Sequence, residues 1–406
     1  MTFDIAATRA QFPVLDQQVS GKRLAYLDNA ATTHKPRAVM AAVETFYGHY
    51  NSNIHRGVHE LSQTATEAYE ASRRRIADFL GAEHQDEIVF TTGTTGGINL
   101  VANTWANQHL RAGDEILISH LEHHSNIVPW QLLCERSGCA LKVIPVLDDG
   151  SLDLEAYADL LSPKTRLVAL SHVSNALGVI NPLEAMIPLA KGVGATVLID
   201  GAQAVAHVPI DVQTIGCDFY VFSGHKLFGP TGIGVLWGRS ELLSSMPPWQ
   251  GGGDMIETVS LTGSTWAAPP ARFEAGTPNI AGAIGLAAAV DFFDALDRVG
   301  AAAHEDALLQ EATDALCSIP GLEIIGTHPR KTSVISFTLA GVHAHDIGMI
   351  LNREGVAIRT GHHCTQPLMA RFGVDATARA SFALYNDHED LAALVRGLET
   401  VQRLFA

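Results

Sequence analysis

The sequence predicts an α/β protein: a large domain with a mostly parallel sheet covered by helices on both faces, then a smaller α/β C-terminal domain. Three observations predict it. Short apolar runs alternate with helical patterns from residue 87 to residue 222. A Gly- and Pro-rich stretch from Pro247 to Pro278 breaks that alternation. Beyond it, two Ala-rich helical stretches lead to a fresh strand-like run, Val334 to Thr338.

The elements follow in order. Arg37 to Tyr50 and Glu60 to Leu80 carry helical periodicity, and Glu87 to Phe90 reads as the first strand. Glu115–Ile118, Leu141–Ile144, Arg166–Leu170, Thr196–Ile199 and Asp218–Phe222 read as further strands. Helices are expected between them, near 127–136, 154–161 and 183–191. Such runs, separated by helices, suit strands buried on both faces. The irregular Pro247–Pro278 segment is long enough to suggest a functional loop. Helices are then expected over about 280–297, 301–319 and 346–353, with a last one from His388. The expected division is an N-terminal segment, 1–20, packing with the small domain, then a large domain, 21–280, and a small one, 281–406.

Composition narrows the function. The 406 residues exceed one ordinary core, and the 47% apolar fraction is that of a globular chain. A formal charge of -16 argues against nucleic acid or an anionic membrane as the main partner, since both need a basic footprint. The N-terminus shows no basic stretch followed by an apolar run, and Ile284–Val290 is too short to span a bilayer. Five cysteines form no CxxC pair, which suggests reduced thiols and a cytoplasmic protein.

The chemistry concentrates in Asp200-Gly-Ala-Gln203 and Ser223-Gly-His-Lys226, each leaving a strand. A lysine at one strand end and an aspartate at the next suit pyridoxal phosphate. The lysine takes up the aldehyde, and the carboxylate keeps the ring nitrogen protonated. Leaving an apolar strand also desolvates Lys226, which lowers its pKa and makes the amine nucleophilic. Thr92-Gly-Thr94-Thr95-Gly-Gly97 opens a helix expected over 98–106, a place for a phosphate, although alone it reads better as an N-cap. The Ser223 hydroxyl and His225 ring are within reach of the same anion. Alone, Asp200 and Gln203 read equally well as a capping pair. His123 follows a strand closely enough to stack on a planar ring. Downstream, Arg359-Thr-Gly-His362-His363-Cys364 crowds an arginine and two histidines around one thiol, a setting that favours thiolate.

Eight motifs then carry a resemblance over nearly the whole chain. They are Tyr26–Thr32, Asn53–Gly57, Glu122–Asn126, His172–Asn175, Asp200–Gln203, Ser223–Lys226, Phe273–Asn279 and Arg359–Cys364. With them the chain resembles the SufS-type (group II) cysteine desulfurases of the class V, fold-type I pyridoxal-phosphate enzymes. The resemblance implies that Lys226 carries the cofactor, Asp200 meets its ring nitrogen, Gln203 its ring hydroxyl, and His123 stacks on the ring with a catalytic part. It implies a phosphate site of Thr94, Thr95, Ser223 and His225, completed by Thr277 from the other subunit of a homodimer. Asn175 and Arg379, with Arg359 and His55, would bind substrate. Cys364 would take sulfur from L-cysteine as a persulfide, releasing L-alanine. A SufE- or SufU-like acceptor would carry the sulfur to iron–sulfur cluster assembly, and no metal is expected at the site. Selenocysteine lyase is the alternative on the same residues. His343 and His345 are candidates for an acceptor contact. One departure stands out: many SufS-type chains read Arg-Gly-Thr-Thr-Glu where this one reads Thr92-Gly-Thr-Thr-Gly96.

Overall fold

The computed structural model describes residues 3–405. Seven strands form the main sheet: β1 (Ile88–Thr91), β2 (Glu115–Ser119), β3 (Ala140–Ile144), β4 (Thr165–Ser171), β5 (Thr196–Asp200), β6 (Phe219–Ser223) and β7 (Gly234–Gly238). Their spatial order is β1-β7-β6-β5-β4-β2-β3. Neighbours pair in parallel from β6 to β3, while β7 runs antiparallel between β1 and β6. β2 and β6 are buried along their whole length, as strands covered on both faces must be. The edge strand β3 alone in that parallel run is largely open, and its Lys142 reaches back to Glu115.

Every parallel strand ends on one edge of the sheet, so Ser171 and Asp200 stand side by side there, and Ser223 ends the next strand two residues beyond Val221, the register partner of Asp200. Carboxyl ends of such sheets are where ligands bind. The helix after β1 starts at Thr94, one turn earlier than the sequence suggests. Gly96 and Gly97 weaken the helical signal. Gly97 is needed for packing, because a Cβ there would lie 2.9 Å from the Val221 side chain of β6.

The second unit is a four-stranded antiparallel sheet, ordered Leu322–Ile325, Val334–Leu339, Thr377–Ser381 and Arg359–Gly361. The helices Arg298–Cys317, Ala344–Arg353 and His388–Phe405 bury its core. The helix Ile280–Asp294 packs on Arg37–Thr45 and Glu60–Leu80, and its apolar residues join the core of the large unit. At the other end, Ala25–Tyr26 pairs with Val356–Ala357 of the small unit. The first residues bind both units: Arg9 bonds Asp390 at 2.8 Å, and Phe12 packs on Phe228, Phe292 and Tyr385. Inside the Pro247–Pro278 loop lies an exposed two-stranded ribbon, Ile256–Ser260 with Gly263–Trp266. Among the described residues no helix is long and apolar enough to cross a membrane.

Candidate active site

A cleft opens over the sheet edge, between the two units. All of the site residues expected from the sequence line it except His55 and Thr277.

One end is built for an anion. Ser223 Oγ accepts from the Thr94 N–H at 2.9 Å and lies 2.8 Å from the Thr94 hydroxyl. The Thr95 and Ser125 hydroxyls meet at 2.7 Å. These hydroxyls sit at the first turn of the helix from Thr94, where the macrodipole favours negative charge. His225 stands beside them, and burial holds its ring neutral, with a pKa down at about 4. The Lys35 amine donates to the His225 carbonyl at 3.1 Å, a contact that the sequence does not announce.

The middle holds a carboxylate and an amine. Asp200, buried at the end of β5, accepts from the Ala202 N–H at 2.9 Å through one oxygen. Burial pushes its pKa up, opposed by that N–H and by the Lys226 charge. The intervening Gly201 has a steric reason: a Cβ there would sit 2.2 Å from the Tyr220 ring on β6. Lys226 is walled in by protein yet partly open to the cleft. Burial, helped by the Arg379 and Arg359 charges and opposed by Asp200, lowers its pKa to about 8. Gln203 Nε2 donates to the Ala30 carbonyl at 2.6 Å, which fixes the amide. His123 lines the cleft as a neutral ring, burial bringing its pKa to about 3. Its Nδ1 accepts from the Ser125 N–H at 3.0 Å, so its proton resides on Nε2.

The far end is cationic. Arg359 and Arg379 face each other directly across two paired strands of the small unit. Like charges in that register are destabilising unless an anion intervenes. Arg379 donates to the Asn175 carbonyl at 2.7 Å and to Asp28 at 3.0 Å, while its buried Nε has no partner. Cys364 enters beside them, half-buried. His363 and Cys364 both have left-handed backbone, φ 51° and 58°. His363 is not a cation next to the thiol. Its ring is buried against Thr377 at 2.8 Å, and burial lowers its pKa to about 3.

Two residues lie elsewhere. His55 bonds Glu70 at 2.9 Å in a separate depression with Arg56 and Arg73. Thr277 lines another surface depression with Trp249, Gln250, Thr92 and Gly96. Asp28, the anion that pairs with Arg379, was not singled out from the sequence, because its motif lies 351 positions from its partner.

The residues fit pyridoxal phosphate. The hydroxyl cluster matches its phosphate, the free oxygen of Asp200 its ring nitrogen, and the Lys226 amine its aldehyde. The orphaned Arg379 Nε leaves a donor for a carboxylate beyond the ring.

The family model for "Aminotransferase class-V" matches residues 25–394. The chain is 55% identical over 405 residues to a cysteine desulfurase of Klebsiella pneumoniae (strain 342), covering 100% of both. It superposes on the cysteine desulfurase CsdA of Escherichia coli, crystallised in an S-sulfonic acid form, with a TM-score of 0.93 at 42% identity over all of both chains. An apo cysteine desulfurase of Thermococcus onnurineus NA1 gives 0.94 at 39% identity over 99% of each.

Proposed function

The chain belongs to the class-V aminotransferase family, and we propose that it moves sulfur from L-cysteine onto the Cys364 thiol. It is a cysteine desulfurase, and pyridoxal phosphate is its cofactor. The observation that carries the residue assignment is that Lys226, Asp200 and Cys364 line one cleft. Thr94, Thr95, Ser223 and His225 would hold the phosphate. Asp200 would meet the ring nitrogen, Gln203 the ring hydroxyl, and His123 the ring face. When bound, the cofactor supplies an electron sink for charge developing at the substrate Cα.

The remaining work falls to the chain's own residues. Arg379 and Arg359, with Asn175, take the substrate carboxylate in a planar, bidentate manner that guanidinium groups favour. Lys226, its pKa near 8, removes the Cα proton at neutral pH without a large driving-force penalty. The Cys364 Sγ attacks the substrate sulfur. An S–S bond forms, the Cβ–S bond breaks, and its electron pair stays with Cβ. Cβ then takes the proton that the Cys364 thiol gave up, relayed by the His123 ring, Lys226 returns its proton to Cα, and L-alanine leaves.

We assign the chain to the SufS-type group on its short Gly361–Cys364 sequence context. The reading includes a homodimer, supported by Thr277 lying outside its own chain's cleft, where it would serve a partner's phosphate site. The persulfide passes to a SufE- or SufU-like acceptor for iron–sulfur cluster assembly, with the exposed His343 or His345 as a contact. Five free cysteines suit the reducing cytoplasm. Mass spectrometry after incubation with L-cysteine tests the central claim. One added sulfur on the Cys364 peptide, with alanine formed, supports it; alanine formed at an undiminished rate by Cys364→Ser overturns it.

A further inference from the structure

We propose that His124 is a positioning residue that clamps the Cys364 loop through its backbone and its ring together. This rests on reading Cys364 as the sulfur acceptor.

The loop needs holding. Two successive non-glycine residues, His363 and Cys364, adopt left-handed backbone, which only surrounding contacts sustain. Those contacts come from the large unit, while the loop belongs to the small one. The Asn175 side chain donates to the His363 carbonyl at 2.8 Å. The His124 N–H donates to the Cys364 carbonyl at 2.8 Å. The His124 ring reaches further along, where its Nε2 accepts the Gln366 N–H at 3.1 Å. Gln366 opens the helix Gln366–Arg371, so its N–H has no carbonyl within that helix to bond. One residue thus grips the loop on both sides of the thiol.

A second ring completes the arrangement. His362 Nδ1 accepts the N–H of Cys364 itself at 3.1 Å. The His124 and His362 rings lie 5.6 Å apart, and the His123 and His124 rings 6.3 Å apart. Both gripping nitrogens act as acceptors, so both carry no proton. Burial, the larger cause, holds the His124 pKa below its usual value, which keeps that acceptor available.

Both hydrogen bonds from His124 to the loop are to backbone atoms, so its loss should alter the thiol's placement and leave cofactor and substrate binding alone. The test compares His124→Ala with His124→Gln, whose amide oxygen still accepts the Gln366 N–H. Losing one such hydrogen bond changes an equilibrium by about fivefold. In the holoenzyme, His124→Ala should slow single-turnover persulfide formation about fivefold, with L-cysteine half-saturation within about twofold of the unsubstituted protein. His124→Gln should restore the rate. Independently, iodoacetamide should alkylate Cys364 about fivefold faster in His124→Ala, with the exposed Cys317 as internal reference in peptide mass spectra. Unchanged Cys364 alkylation, a joint collapse of binding and rate, or a His124→Gln variant no better than His124→Ala overturns the clamp. The alkylation arm needs neither cofactor nor substrate. It therefore judges the clamp even if the unsubstituted protein forms no persulfide and the reading of Cys364 falls.

Discussion

Replacing Arg379 by lysine tests the substrate end of the cleft most directly. The guanidinium is spread over three tasks. One terminal nitrogen holds the Asn175 carbonyl, the other holds Asp28, and Nε is left without a partner beside the opposing Arg359. Lysine keeps the charge but concentrates it at one point, so it cannot span Asn175, Asp28 and a substrate carboxylate at once. The Asp28 carboxyl, which burial pushes up and Arg379 pulls down, competes for whatever cation remains. The contact that is surrendered is therefore the one to substrate. A hydrogen bond to a charged group contributes about 1.5–3 kcal/mol, so binding should weaken roughly 10- to 150-fold. The contact is made in ground and transition states alike, so the loss should appear in KM with kcat little changed. The assay is initial alanine formation across an L-cysteine titration, paired with the absorption change on cysteine binding. A KM within about twofold of the original, with the fold intact by circular dichroism, would refute the assignment of this end to the carboxylate.

Two further outcomes follow from buried groups. Glu122 is fully buried, and burial pushes its carboxyl up to about 7 although Ser119, Asn126 and Ser171 all donate to it. An unfolded glutamate titrates near ~4.3. Between those values the folded state binds the extra proton, so stability falls as pH rises, by roughly 4 kcal/mol at most. Glu122→Gln removes that proton; urea midpoints measured from about pH 5 to about pH 7.5 should flatten in the variant, and parallel curves would refute the titration. Gly201→Ala forces a methyl into the Tyr220 ring, and overpacking of this kind costs about 1–3 kcal/mol. Because Asp200 is the neighbouring residue, the variant should also lose pyridoxal phosphate more readily on dialysis. Retention equal to that of the unsubstituted protein would show that the turn relaxes without moving the carboxylate.

How much of this site the sequence reveals depends on how each residue reaches it. Lys226 and Asp200 are legible because each leaves a short buried strand, and the end of such a strand points to one sheet edge. Thr94 and Thr95 are legible for the same reason, even though glycines hide the first turn of their helix. The irregular parts are less legible. His55 belongs to a recognisable motif, yet a motif does not say which cleft its residue faces, and the fold places it in a separate depression. Crowding in sequence misleads at His363, because left-handed backbone turns its ring inward to Thr377.

What stays hidden is everything set by register between distant strands. Arg359 and Arg379 are 20 positions apart, and only the antiparallel pairing of their strands sets them opposite one another. Asp28 joins them because Ala25–Tyr26 pairs with Val356–Ala357 just before it. These pairings give the cleft its polarity: hydroxyls and a helix start at one end, two guanidinium groups at the other, and a carboxylate and an amine between. A ligand pair with a phosphate at one end, a carboxylate at the other and a ring nitrogen and an aldehyde carbon between would meet a matching group for each in that order. The register that is illegible in sequence is thus what sets the cationic end of the cleft beside Cys364.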